Sequence, residues 1–185
     1  MTSPGTVGGD ERIRLFVALR LPDPVVDALV AWQRDALGGT DARAIPRENL
    51  HVTVAFLGSR PAADVEPILA ELREAAAAAR PIVLGPRDYR ETPRVAMLRL
   101  TDADHRAHDF EQDMGRRLAE GGFYTPEQRR WLPHVTVLRF RSAPRLRPEL
   151  PALGEFSPSD AALYHSVLRP SGAQYAVIES AALGG

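Results

Sequence analysis

Apolar and polar positions along the chain fall into two alternating periods. Residues 13–19 form a mostly apolar run that Pro22 stops, the pattern of a buried strand. Behind Pro22-Asp23-Pro24, Val25, Val26, Leu29, Val30, Trp32, Gln33 and Leu37 recur at helical spacing until Gly38 and Gly39 end the segment. A loop carrying Pro46 leads to a second strand over 50–57, closed by Gly58. A second helix is predicted over 62–79, with Val65, Ile68, Leu69 and Leu72 as its buried stripe and Pro81 beyond its end. Short strands come next over 81–84 and 95–100, joined by a polar link holding Gly85, Pro86 and Pro93. The third helix spans 104–121, with Phe110, Met114 and Leu118 on one face and Gly121-Gly122 at its end. Residues 134–138 read as a strand, 142–151 as a Pro/Arg-rich loop, and 161–168 with 173–181 as a hairpin. Residues 1–11 carry few apolar side chains and are expected to be a disordered tail, leaving 12–185 as a single two-lobed domain.

One tetrapeptide occurs twice: His51-Val52-Thr53-Val54 returns as His134-Val135-Thr136-Val137. Each copy stands behind the same order of elements: an apolar strand, a helix ended by Gly-Gly, a loop with proline, then the histidine strand. The spacing from Leu19 to His51 is nearly that from Leu100 to His134. This duplication implies two similar strand–helix–strand units related by pseudo-symmetry. In a strand, alternate side chains share a face, so His51 groups with Thr53 and His134 with Thr136, while the valines face the core. Two pseudo-symmetric lobes would then bring both His-Thr pairs together across a groove.

Composition narrows the chemistry available to such a groove. Lys+Arg is 23 against Asp+Glu 24, a net charge of −1, which gives no support for a strongly electrostatic nucleic-acid or membrane binder. Cysteine is absent, and lysine with it, so thiolate metal sites, Cys nucleophiles, Schiff bases and a P-loop lysine are all excluded. No basic-then-apolar leader and no long apolar run occur, and a cytoplasmic protein without a membrane partner is expected.

Two imidazoles with ordinary pKa values near ~6.5 suit general acid–base work: one neutral to take a proton, one charged to give it. A phosphodiester placed between them can be cleaved in line by water without a metal. Threonine hydroxyls beside the histidines can hydrogen-bond the non-bridging oxygens where charge gathers. Arg139 is the best-placed arginine to complete the neutralisation, although strict alternation puts it opposite His134, so a bulge or bend after Leu138 is required. A zinc site, the other use of paired histidines, needs a third ligand and finds no motif to supply it.

The two H-x-T-x motifs, about eighty residues apart and each behind a strand–helix unit, resemble the two-histidine phosphoesterase superfamily. Within it the chain is most similar to the bacterial and archaeal RNA 2′,3′-cyclic phosphodiesterases, also called 2′-5′ RNA ligases. The likeness extends over residues 14–22, 48–58, 133–139, 163–168 and 172–175. It implies a bilobal α+β fold with antiparallel sheets lining a central groove and helices outside. It implies hydrolysis of RNA 2′,3′-cyclic phosphate ends to 2′-phosphates, possible 2′-5′ ligation, no cofactor or metal, and a monomer. By position, His51 would be the proton donor to the leaving oxygen and His134 the base that activates water. Thr53, Thr136 and Arg139 would hold the phosphate. A small cyclic phosphate, a 2′-5′ linked oligonucleotide, or nucleotide binding without turnover are the alternatives.

Phe56 and Tyr164 are candidates for contacting a nucleoside. Parity places Phe56 in the core with Val54, so that role needs it to turn toward the groove; Tyr164 shares its face with Ser166, leaving His165 on the other side. The arginines 129, 130, 139 and 141 form a local basic stretch able to steer an RNA end, or an ordinary solvated loop.

Overall fold

The computed structural model describes residues 11–169 and 172–184. Residues 1–10 of the expected tail lie outside the described residues; Glu11 accepts a backbone hydrogen bond from Ala62 at 2.8 Å. The elements run β1 (Arg12–Arg20), α1 (Asp23–Ala36), β2 (Arg43–Ala44), β3 (His51–Pro61), α2 (Val65–Ala78), β4 (Gly85–Glu91), β5 (Val95–Thr101), α3 (Arg106–Glu120), β6 (His134–Arg139), β7 (Asp160–Arg169) and β8 (Gly172–Ala182). Pro24 sits in the first turn of α1, where its missing N–H costs nothing. Past the ends of α1 and α3, Gly39 and Gly122 take φ of +78° and +73°, so both Gly-Gly stops work through a left-handed backbone.

All pairings are antiparallel, in the order β4-β5-β6-β3-β1-β7-β8, with β2 also on β6. The fold is the α+β arrangement expected, with both halves joined into a curled sheet. Between β3 and β6 the seam is one residue pair, Val52 with Val135. Outward from it, β4 comes after the first sequence copy but pairs with β5 of the second; β7 comes after the second copy but pairs with β1 of the first. Each lobe is therefore completed by a strand from the other copy. On one face Leu15, Val17 and Leu19 join Leu29 of α1, Leu72 of α2 and Met114 of α3 in the main core. On the other face Phe16 and Ala18 make a separate small cluster with Ala162 and Tyr164, against which Tyr175 packs. The helices lie on the first face, and the second lines the groove.

Several local expectations change. The strand expected over 81–84 is absent apart from a Leu84–Phe156 bridge, and the polar link after it is the real strand β4. As an edge strand, β4 tolerates Pro86, and Tyr89 alone of its middle residues turns to the main core while Asp88 and Arg90 face away. Charge on an edge strand reads as loop when only apolar content is counted. Gly58 does not close β3, which continues to Pro61; at φ +70° it stands beside a bulge at Leu57. The hairpin β7–β8 forms as expected, its residues Pro170 and Ser171 lying outside the described residues. No helix among the described residues is long and apolar enough to cross a membrane.

Candidate functional site

The two H-x-T motifs carry the same irregularity. In β3, Ala18 of β1 faces Thr53 and Val17 faces Ala55, so Val54 is an extra residue. In β6, Met97 of β5 faces Thr136 and Ala96 faces Leu138, so Val137 is extra. Each bulge buries two successive residues, Val54 with Ala55 and Val137 with Leu138, and reverses the parity of the positions that follow it, in β3 as far as the second bulge at Leu57. Arg139 thereby returns to the face of His134 and Thr136. The bulge that its role demanded exists, one residue earlier than expected. The same reversal overturns the core placement of Phe56: it is 47% exposed and stacks on Phe16 at 5.4 Å, on the His51 face. Phe56 and Arg139 are thus equivalent positions of the two copies, five residues past each histidine.

His51 sits among aromatic rings. Its imidazole lies 5.0 Å from the ring of Phe16, 5.7 Å from Tyr164 and 5.5 Å from Tyr175. Nε2 makes a 3.0 Å hydrogen bond with the hydroxyl of Thr53, and Nδ1 is buried with no well-formed hydrogen bond, the Asn49 backbone being the polar group that acts on the ring. Burial among these rings pushes the pKa of His51 down to about 4; the Asn49 carbonyl works the other way, and the charges of His134 and Arg139 push it further down. The Val52–Val135 pairing sets β3 beside β6, so the two motifs lie next to one another on the same face of the sheet. Tyr164 is buried face to face with Phe16 at 4.8 Å, and burial raises its phenol.

His134 is held differently. Its Nδ1 lies 2.8 Å from the carbonyl oxygen of Leu132. A carbonyl only accepts, so Nδ1 carries the proton and, in the neutral ring, Nε2 keeps its lone pair for the groove. Thr136 is half-buried beside it, and Arg139 is exposed. Trp131, just before the motif, donates its indole N–H to the Thr53 carbonyl at 3.0 Å, tying the approach to the second motif onto the first.

Three features of the site go beyond the sequence reading. Phe16 and Tyr175 complete the aromatic bed of His51; strict alternation along β1 puts Phe16 opposite Leu15 and Val17, a signal present in the sequence. Each histidine also has an arginine as its cross-strand neighbour, Arg20 opposite His51 and Arg99 opposite His134. Each of these arginines is paired in turn to an aspartate one strand further out, Arg20 with Asp160 at 3.0 Å and Arg99 with Asp88 at 2.6 Å. This His–Arg–Asp order appears only once the register is known. Among the described residues, no three His, Asp or Glu side chains gather in a way that would hold a metal ion.

A curled antiparallel sheet with helices on its outer face and a duplicated histidine motif on its inner one defines a phosphoesterase fold. Residues 19–85 match the model of the LigT-like phosphoesterase family. The RNA 2′,3′-cyclic phosphodiesterase of Thermus thermophilus is 31% identical over 94% of this chain and 91% of its own length. The enzyme of the same name from Methanocaldococcus jannaschii is 25% identical over 90% and 99%. Among solved structures, TT0787 of T. thermophilus superposes with a TM-score of 0.80 at 29% identity, covering 94% of this chain and 99% of its own. Escherichia coli LigT superposes equally well, 0.80, at 22% identity over 95% and 100%, a likeness of fold. The chain belongs to this family of enzymes, the LigT-like phosphoesterases and RNA 2′,3′-cyclic phosphodiesterases.

Proposed function

We propose that the protein hydrolyses 2′,3′-cyclic phosphate ends of RNA to 2′-phosphates, without a metal, through His51 and His134. The observation that carries this reading is the matched pair of bulged H-x-T strands, set side by side by the Val52–Val135 pairing and opening on one groove. The names of the curated relatives support the substrate class. E. coli LigT has been solved with 3′-AMP, which agrees with a nucleotide ligand for this fold.

In this mechanism Nε2 of His134 takes a proton from water as the water oxygen attacks phosphorus. The P–O3′ bond opposite breaks, and the leaving 3′ oxygen takes a proton from His51, leaving the phosphate on the 2′ oxygen. The hydroxyls of Thr53 and Thr136 and the guanidinium of Arg139 hold the non-bridging oxygens. A free-enzyme pKa of about 4 keeps His51 neutral at neutral pH, so the proton it donates must be taken up from solvent as the substrate binds. A phosphodiester anion placed between His51 and the cations supplies the negative charge that raises it. Phe56, exposed above Phe16, offers a face on which a base can stack, with Tyr164 beneath in the same aromatic bed. Attack by a 5′-hydroxyl in place of water would give a 2′-5′ linkage by the same groups. A cytoplasmic monomer is the form in which we expect it to act.

The test is turnover of an oligoribonucleotide ending in a 2′,3′-cyclic phosphate, in excess EDTA, by wild type, His51→Ala and His134→Ala. Expected are a 2′-phosphate product, activity that survives chelation, and a loss on the order of 10²–10⁴ in each variant. Turnover abolished by EDTA, or near wild type in either variant, would overturn the reading. Binding without product would favour a nucleotide-binding role, and turnover confined to small cyclic phosphates or 2′-5′ linkages would move the substrate.

A further inference from the structure

Buried polar side chains are scarce in this protein: among the described residues only Gln33 and Ser166 are buried. Gln33 lies on the inner face of α1, 5% exposed, where Val25, Val26, Leu29 and Trp32 are its buried companions. The equivalent helix of the second copy, α3, buries only Ala107, Phe110, Met114, Gly115 and Leu118. Packing alone therefore does not call for an amide at this place, and burying one is costly unless its hydrogen bonds are met.

Its bonds go to one particular feature. Nε2 donates to the carbonyl of Val137 at 2.7 Å and to the carbonyl of Ile45 at 3.1 Å. The Ile45 N–H in turn donates to the same Val137 carbonyl at 3.0 Å. Val137 is the extra residue of the bulge in β6. A bulge interrupts the ladder and leaves backbone groups to be satisfied from elsewhere. Here α1 and the segment leading out of β2 meet that need together. Without the bulge, alternation would send Arg139 into the core face and Leu138 into the groove.

We infer that Gln33 is a positioning residue for the reaction: it clamps the Val137 bulge and so holds Arg139 on the face of His134 and Thr136. This rests on the proposed role of Arg139 as a phosphate holder. Gln33 itself touches no substrate. Its effect passes through the backbone of β6, and a change there would reach the phosphate site while leaving the aromatic bed of His51 in place.

The experiment is a double-mutant cycle in the full chain, with cyclic-phosphate oligoribonucleotide as substrate and inorganic phosphate as a competitive probe. Gln33→Met keeps length and apolar bulk while removing both donors. In the wild-type background it should lower kcat/KM on the order of tenfold and weaken inhibition by phosphate in parallel. In an Arg139→Ala background the same substitution should change little, because the group it positions is gone. Gln33→Glu supplies a second readout. Ionised, it faces two carbonyls without a donor; protonated, it regains an O–H, so its activity relative to wild type should climb as pH falls. Equal losses from Gln33→Met in both backgrounds, or none in the wild-type background, would overturn the inference. Should Gln33→Met fail to fold, a Gln33→Glu ratio flat with pH would overturn it equally. Wild-type activity in Arg139→Ala alone would instead sink the phosphate role of Arg139, a separate failure.

Discussion

The same four residues, His-Val-Thr-Val, stand twice in this protein, each time in a bulged strand beside a matching Arg–Asp pair, and the two histidines differ in the rings and hydrogen bonds that hold them. His51 is wrapped by Phe16, Tyr164 and Tyr175, bonds to Thr53 through Nε2, and has its pKa pressed down to about 4. His134 hangs from the Leu132 carbonyl by Nδ1, and its Nε2 is left for the groove. Five residues on, one copy carries Phe56 and the other Arg139. A duplicated fold places two imidazoles symmetrically; unlike neighbours then let one site be apolar and the other cationic. In the mechanism we propose, that difference divides the groove into a face for a base and a face for a phosphate.

Replacing the two equivalent residues separates those faces. Arg139→Ala should lower kcat on the order of 10², as loss of one preorganised charge-stabilising donor does. Phe56→Ala should act on KM by about tenfold and leave kcat nearly alone, the mark of lost base stacking. Steady-state kinetics on a cyclic-phosphate dinucleotide resolves the two; a kcat defect in Phe56→Ala larger than that in Arg139→Ala would reverse the division.

A smaller but more diagnostic effect lies in pH. The alkaline limb of kcat/KM, which reports loss of the donor proton from His51 in the free enzyme, should begin near pH 4, and the alkaline limb of kcat should lie at higher pH once the substrate anion is bound. Identical limbs in the two profiles would mean that the anion does not reach His51.

Stability should carry the same signature. With a folded pKa of about 4 against an ordinary ~6.5 when unfolded, His51 takes up its proton on unfolding throughout that window. The unfolded chain binds more protons there, so stability falls as pH drops from about 6.5 to 4 and is untouched by this group above it. The loss is up to about 3 kcal/mol. Urea denaturation of wild type against His51→Gln should show this slope in the first and not in the second. Least in size, Trp131→Phe removes the indole donor to Thr53 and should cost about 1 kcal/mol of stability with little effect on kcat.

Much of this molecule is legible in its sequence because the signals are local. The three helices, the strands around His51 and His134, and the C-terminal hairpin are set by apolar spacing and by glycine and proline stops, which act through a few neighbouring residues. The duplication pairs His51 with Thr53 and His134 with Thr136 by strand parity alone. Strand β4 is hidden because an edge strand facing a groove needs no apolar run, and Pro86, Asp88 and Arg90 read as loop. Strict alternation misplaces Phe56 because a bulge leaves no mark in composition: Val54 and Ala55 are buried together only because β1 pairs around them.

By itself the sequence determined the chemistry on offer: two histidines, two threonines and arginine as the sole strong cation, on two repeated strands. Only the tertiary structure decided which residues share the groove. Register is a long-range property, set by strands tens of residues apart, and a single inserted residue in one ladder turns every later side chain to the opposite face. The depressed pKa of His51 has the same origin, since the rings that surround it come from β1, β7 and β8 and meet it only when the sheet is assembled.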